Sequence, residues 1–159
     1  MKPHSAIISL AESAAEIGRC YELMRELRPH LKTRDEFIAR VQRQQKEGYL
    51  LASLESENEV RAVAGYRMFD LLFSGRTLYV DDLVTREADR SKGFGGQLFD
   101  WLVEEARRED CRDLTLDSGV QRVDAHRFYL MKRMAITSRA ENQLRRSAIG
   151  ACDGPSLID

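Results

Sequence analysis

Cysteine is scarce in this chain. Cys20, Cys111 and Cys152 are three residues among 159, and no two form a C-x-x-C pair. That argues against a zinc site and against a disulfide framework. His4 and His30 fall in loops, and His126 is expected on a solvent-facing helix surface. No ligand spacing links them, so no metal is expected. No apolar run approaches the ~18–20 residues that a membrane span requires. The apolar patch from Ala6 to Leu10 is interrupted by Glu12 and Glu16, too early for a secretory leader. Neither sign of charge dominates: the net charge is -1, with charges interspersed along the chain. That gives no ground for expecting a nucleic-acid partner. Internal repeats, linkers and low-complexity tracts are also missing. What remains is one domain over residues 1–159, 43% hydrophobic and 32% charged, an ordinary composition for a globular core. We expect it in the cytoplasm, off the membrane, with reduced thiols.

Hydrophobic periodicity gives the element order. Ala6 to Leu10 reads as a strand. Ser13, with Glu16 three residues on, is a capping box. Ile17, Cys20, Tyr21, Met24 and Leu27 then recur at helical spacing until Pro29. Thr33 or Asp35 caps a second helix carrying Phe37, Ile38, Val41 and Gln45 on one stripe, and Gly48 stops it. The connector from Arg28 to Arg34 lies between these two helices. Tyr49 to Leu54 and Val60 to Phe69 form a hairpin around a polar turn containing Asn58. Gly65 in the second of these strands marks either a bulge or a close approach of neighbouring atoms. A third long strand, Leu78 to Val84, follows. A helix through Leu98, Trp101, Leu102 and Ala106 comes next, then a short strand, Leu114 to Leu116. Asp117-Ser118, at the C-terminal end of that strand, either meets substrate or caps the helix from Val123 to Met134, and the cap is favoured. A further strand begins at Ala135, and from about Arg139 the tail is expected to be irregular. The order β-α-α-β-β-β-α-β-α-β puts hairpins first and a β-α-β crossover later. This is an α/β chain with a mixed sheet.

Between the strand Leu78–Val84 and its following helix lies Arg90-Ser91-Lys92-Gly93-Phe94-Gly95-Gly96. A glycine-rich turn that opens a helix offers several backbone N–H groups without intrahelical partners, and the helix dipole adds positive potential. Together they make an anion site. A P-loop would need Lys-Ser or Lys-Thr after the glycines. A dinucleotide fingerprint would need glycine where Leu98 stands. The pattern left is R-x-x-G-x-G, on Arg90, Gly93 and Gly95.

That motif resembles the coenzyme A pyrophosphate loop of the GNAT family, the GCN5-related N-acetyltransferases. A second segment, Ala125-His126-Arg127-Phe128-Tyr129, is similar to the family's A-x-x-F-Y. The glycine that usually follows is Arg133 here. The resemblance implies a GNAT-like acyl-CoA N-acyltransferase fold, with a mixed sheet of about six to seven strands flanked by about four helices. It implies an N-acetyltransferase that moves an acetyl group from acetyl-CoA to a primary amine, on a small molecule or a protein, by direct attack in a ternary complex. The alternative is an acyl-CoA sensor or partner-binding module on the same fold. A homodimer is a further implication.

The resemblance also assigns roles. The family's first two helices flank the acceptor site, so the connector from Arg28 to Arg34 is expected to touch substrate. Arg90 to Gly96 (Arg90, Ser91, Lys92, Gly93, Phe94, Gly95, Gly96) would take the pyrophosphate. Backbone groups of Leu83, Val84 and Thr85, at a strand edge splayed from its neighbour, would bind the pantetheine arm as an added strand does. The N–H near Leu83 would hold the thioester oxygen as it gains charge. Tyr129 would protonate the departing sulfur, and its reference pKa near ~10 suits that task. For the base, Asp81 and Asp82 are nearest. Strand alternation sends them to opposite faces, and Asp81, sharing a face with Tyr79 and Leu83, ranks first; a bulge would reverse that order.

Overall fold

The computed structural model describes residues 5–117, 123–136 and 143–147. The chain divides into two compact units, Met1–Met68 with Val80–Leu102, and Phe69–Tyr79 with Val103–Asp159. The first holds β1 (Ile7–Leu10), α1 (Ala14–Arg19), α2 (Tyr21–Leu27), α3 (Arg34–Gln45) and β2 (Leu50–Ser56). It also holds most of β3 (Glu59–Leu71), the end of β4 (Gly75–Thr85), a 3-10 turn at Glu87–Asp89 and the start of α4 (Phe94–Arg108). The second unit takes the remaining parts of β3, β4 and α4. To these it adds β5 (Asp113–Asp117), α5 (Val123–Met131), β6 (Ala135–Ile136) and β7 (Gln143–Ser147).

In the first unit the strands run β1-β2-β3-β4, with β1/β2 and β2/β3 antiparallel. The hairpin between β2 and β3 is tighter than the sequence indicates. Only Glu57 and Asn58 form the turn, at φ of 55° and 61°, the doubly left-handed geometry whose twist matches flanking strands. The capping box is present: Ser13 Oγ accepts from Glu16 N–H, and the Glu16 carboxylate accepts from Ser13 N–H at 2.8 Å. These bonds hold the Glu16 carboxyl below its ordinary value. The single helix expected after Ser13 is split at Cys20 into α1 and α2. Thr33, not Asp35, caps α3. Ile17, Cys20, Tyr21, Met24, Phe37 and Val41 pack with Leu51, Val63 and Val84 into one core.

In the second unit the order is β4-β5-β7-β6. A strand followed by a crossover helix and a neighbouring strand, as in β4-α4-β5, sets the two strands parallel, so the sheet is mixed as expected. β7 pairs antiparallel with both β5 and β6, Thr115 opposite Arg145 and Ala135 opposite Arg145. The tail expected to be irregular from about 139 therefore contains a strand. Backbone pairing on two sides supplies ladder hydrogen bonds whatever the side-chain pattern, so Gln143–Ser147 needs no alternation to be held.

Three helices close in the same way. Tyr49 N–H reaches Gln44 O and Gly48 N–H reaches Gln45 O; Cys111 and Asp110 do the same to Ala106 and Arg107; Met134 and Arg133 do so to Tyr129 and Leu130. This is the paired-bond stop whose penultimate residue is left-handed. Gly48 serves as foreseen. Arg133, standing where the resemblance leads one to expect glycine, still adopts φ of 61°. A side chain in that region costs roughly 1–2 kcal/mol. Arg133→Gly is accordingly expected to raise stability by about 1 kcal/mol in urea unfolding, reduced somewhat by the added freedom of glycine in the unfolded chain.

Candidate active site

Strand β4 ends at Thr85, and the chain turns at once. Arg86 N–H bonds Arg61 O at 2.9 Å, fixing the exit beside β3. Asp89 follows in the 3-10 turn, 2% exposed, and serves as the anchor of this corner. Arg61 Nη1 lies 3.2 Å from one of its oxygens and Lys92 Nζ 3.0 Å from the other, with Arg86 Nε at 3.7 Å. Burial alone would raise this carboxyl. The hydrogen bonds from Lys92 and Arg61 outweigh it and hold the group below its ordinary value. The unfolded chain then binds more protons than the folded one between the two pKa values. The Asp89 contribution is therefore complete above the unfolded value of about 3.9 and is lost as pH falls through the lower folded value. Asp89→Asn is expected to flatten the acid limb of the stability–pH curve, read by urea unfolding from about pH 6 down to pH 3.

The loop beyond Asp89 runs through two left-handed residues, Ser91 at φ 71° and Gly93 at φ 89°. These two positive-φ positions turn the chain sharply into the helix. Helix α4 then starts: Gln97 N–H is the first to bond back, to Gly93 O at 3.0 Å. The N–H groups of Ser91, Gly93, Phe94 and Gly95 make no hydrogen bond among the described residues. Gly95 sets the first turn of α4 against the end of β4. A Cβ there would lie 2.6 Å from Thr85 Oγ1. The expected anion-loop residues and Thr85 are thus brought together. Lys92 is committed to Asp89, whereas Arg90 is exposed and makes no ion pair among the described residues.

On β4 itself, three and four positions before Thr85, Asp82 and Asp81 carry a second polar cluster, assembled from distant parts of the first unit. Arg67 Nε lies 3.2 and 3.0 Å from the two Asp81 oxygens, and its Nη2 reaches Oδ2 at 2.7 Å and Gln44 Oε1 at 2.9 Å. The Tyr49 hydroxyl donates to Asp82 Oδ2 at 2.9 Å, and Arg28 Nε donates to Asp82 Oδ1 at 2.8 Å. The Arg67 guanidinium also sits over the Tyr49 ring, 5.3 Å from its centroid. The two carboxylates therefore enter one cluster instead of serving opposite faces. Alternation fixes where each Cβ starts; the long stems of Arg28 and Arg67 fix where the carboxylates find partners. Burial raises the Asp81 carboxyl, with the Arg67 hydrogen bonds and charge pulling against it. Burial and the nearby Asp82 charge push the Tyr49 phenol well above its ordinary value, so it remains a donor.

Gly65 explains how the cluster fits. Its register with Leu51 is regular, so it marks a close approach and not a bulge. A Cβ on it would meet Tyr49 Oη at 1.8 Å and Asp82 Oδ2 at 2.8 Å. Tyr49 and Arg67 were not singled out from the sequence as site residues; Arg28 entered only as the first residue of the connector expected to touch substrate. The available signals were an unexplained glycine in an apolar strand and a tyrosine placed directly after the Gly48 helix stop.

Leu83, half-buried, and Val84, buried, precede Thr85 on β4. Tyr129 belongs to the second unit, on α5, 8% exposed and edge-on to Phe128 with centroids 5.3 Å apart. In the same unit Asp117 accepts the Tyr79 hydroxyl at 2.6 Å; its expected companion Ser118 lies outside the described residues. His126 is half-buried, not solvent-facing, and its Nε2 has no partner among the described residues. Burial pushes the Cys20 thiol up to about 12 and raises Cys111 as well; Cys152 lies outside the described residues. No helix among those described is long and apolar enough to cross a membrane.

Comparison with known proteins gives the family and the fold. Residues 17–134 match the model of the acetyltransferase (GNAT) family. A Bacillus subtilis protein named as the uncharacterized N-acetyltransferase YhdJ is 37% identical over 121 residues, covering 76% of this chain and 84% of the relative. Among solved structures, an N-acetyltransferase from Staphylococcus aureus superposes with a TM-score of 0.73 at 14% identity, covering 91% of this chain and 99% of that one. YncA of Salmonella typhimurium, solved with its cofactor acetyl-CoA, does so with a TM-score of 0.72 at 17% identity, covering 95% and 98%. At such identities the two structures speak for the fold. The family match takes in the glycine loop, both carboxylates and the Phe128-Tyr129 pair, and on it the chain belongs to the GNAT family of acetyltransferases.

Proposed function

We propose that the protein transfers an acetyl group from acetyl-CoA to a primary amine by direct attack in a ternary complex. The observation that carries this reading is the loop from Arg90 to Gly96. Four N–H groups without partners among the described residues stand at the start of a long helix, beside the end of β4. The helix dipole and those donors suit a diphosphate, and Arg90 is available to add charge. On this reading Leu83, Val84 and Thr85 bind the pantetheine arm through their backbone, and the N–H near Leu83 receives the thioester oxygen as charge builds on it. The amine nitrogen attacks the carbonyl carbon, the C–N bond forms and the C–S bond breaks. Tyr129 gives its hydroxyl proton to the departing sulfur and regains one from the attacking nitrogen. The Asp81–Asp82 pair receives the acceptor.

The cysteines support direct transfer over a covalent acetyl-enzyme. A nucleophilic cysteine needs a low pKa and access, and Cys20 and Cys111 are buried with raised values. Buried unpaired thiols also support the cytoplasm as the compartment. The acceptor is proposed to be a primary amine on a small molecule or a protein, and a homodimer rests on the family resemblance alone. Calorimetry with acetyl-CoA, followed by thiol release over a panel of primary amines, tests the reading. Binding with turnover of at least one amine is expected. Tight binding with no turnover across the panel would favour a sensor, and no binding by the intact protein would remove the proposal.

A further inference from the structure

The polar cluster on β4 already contains a cation where an amine acceptor would bind. All four carboxylate oxygens of Asp81 and Asp82 have donors, but these donors are held very differently. Tyr49 is 4% exposed and part of the core. Arg67 is 27% exposed in its side chain, grips both oxygens of Asp81, stacks on Tyr49 and bonds Gln44. Arg28 is 45% exposed. It projects from the connector after α2, and its contacts in the cluster are Asp82 Oδ1 and the main-chain oxygen of Asp81, at 2.8 and 3.0 Å. It is therefore the donor most easily displaced. When it moves, Asp82 Oδ1 is uncovered while Tyr49 keeps the other oxygen fixed, so the carboxylate stays oriented. An alkylammonium shares the guanidinium's positive charge and N–H donation, as a compact point charge in place of a planar fork.

Resting on the acetyltransfer reading above, we propose that Arg28 is a built-in stand-in for the acceptor. In the acceptor-free protein its guanidinium occupies the ammonium seat on Asp82. The incoming amine displaces it, and Asp82, not Asp81, holds the amine and takes its proton. One N–H bond breaks, one O–H bond forms on Oδ1, and the nitrogen lone pair is released for attack. Asp81 is the poorer base because both its oxygens are engaged by Arg67, and a proton on either would disrupt that pair. The internal competitor lowers the apparent affinity for any cation at this seat, as an occupied fraction does in a two-state equilibrium.

The test uses n-butylammonium as the probe, with binding to the intact protein followed by NMR titration. Arg28→Ala is expected to bind the probe about fivefold or more tightly than the wild type. Arg28→Lys restores a tethered cation and is expected to return affinity toward the wild-type value. Adding Asp82→Asn to Arg28→Ala is expected to abolish the gain. Adding Asp81→Asn is expected to leave it. Acetyl-CoA affinity, measured on every variant, reports whether the fold survives. No gain in Arg28→Ala, or a gain that persists with Asp82→Asn, overturns the proposal. Failure of the wild type to bind acetyl-CoA would instead remove the acetyltransfer reading and leave the ammonium result standing.

Discussion

Gly65→Ala is expected to destabilise the protein by about 2–4 kcal/mol, far more than an added methyl usually costs in a strand. The added Cβ would sit 1.8 Å from Tyr49 Oη and 2.5 Å from Cζ, with Asp82 Oδ2 at 2.8 Å. None of these neighbours yields easily. Tyr49 directly follows the stop of α3 and its ring lies in the core; Gly65 is held in register with Leu51. Overpacking a filled interior costs about 1–3 kcal/mol. Pushing the tyrosine aside also separates its hydroxyl from Asp82, and a buried donor left without a partner costs a further ~1–3 kcal/mol. Urea unfolding measures the sum. In the double variant Gly65→Ala, Tyr49→Leu the clash with the phenol is gone and the contact with Asp82 Oδ2 remains, so the two changes are expected to be less than additive. A loss below about 0.5 kcal/mol for Gly65→Ala would mean that Tyr49 does not lie over this strand.

The second large effect concerns acetyl-CoA. Gly93→Val combined with Gly95→Val is expected to weaken its binding about 100-fold or more, roughly 2.7 kcal/mol; the cost in stability is expected to come from Gly95, half-buried against Thr85, and less from Gly93, which is exposed. The two glycines are required for different reasons, and the single variants separate them. At Gly93 a Cβ meets nothing within 4 Å, but φ is +89°, a region that a β-branched residue occupies only under strain. The loop path, and the donors it presents, must then change. At Gly95 the backbone is permissive and the obstacle is Thr85 Oγ1 at 2.6 Å. Thr85→Ala is therefore expected to restore most of the affinity lost in Gly95→Ala and none of that lost in Gly93→Val. Calorimetry of these five variants decides the matter. Unchanged affinity in the double valine variant would show that the loop does not carry the cofactor.

Much of the architecture could be read from the residues in order. The Ser13–Glu16 capping box, the Thr33 cap, the Gly48 stop and the strand–glycine turn–helix passage from Leu78 to Arg108 all lie where expected. In each case the deciding bonds join residues a few positions apart, so the local sequence holds all the information. The split of the first helix at Cys20 was invisible to periodicity, because Cys20 and Tyr21 both belong on the buried face in either geometry. Strand β7 was missed for a different reason. Its place is set by two partner strands, and the run Gln143-Leu144-Arg145-Arg146-Ser147 shows no alternation by itself.

By its own order of residues, then, the chain determined the family, the glycine-rich turn before α4 and the two neighbouring carboxylates, because those are written in short contiguous motifs. Tertiary structure alone decided which partners the carboxylates have. Arg28 is 54 residues from Asp82, Tyr49 is 33 residues away, and Arg67 is 14 residues from Asp81. Such pairings follow from where a helix connector, a helix stop and a neighbouring strand come together, and from the one position, Gly65, that lacks the side chain that would keep them apart.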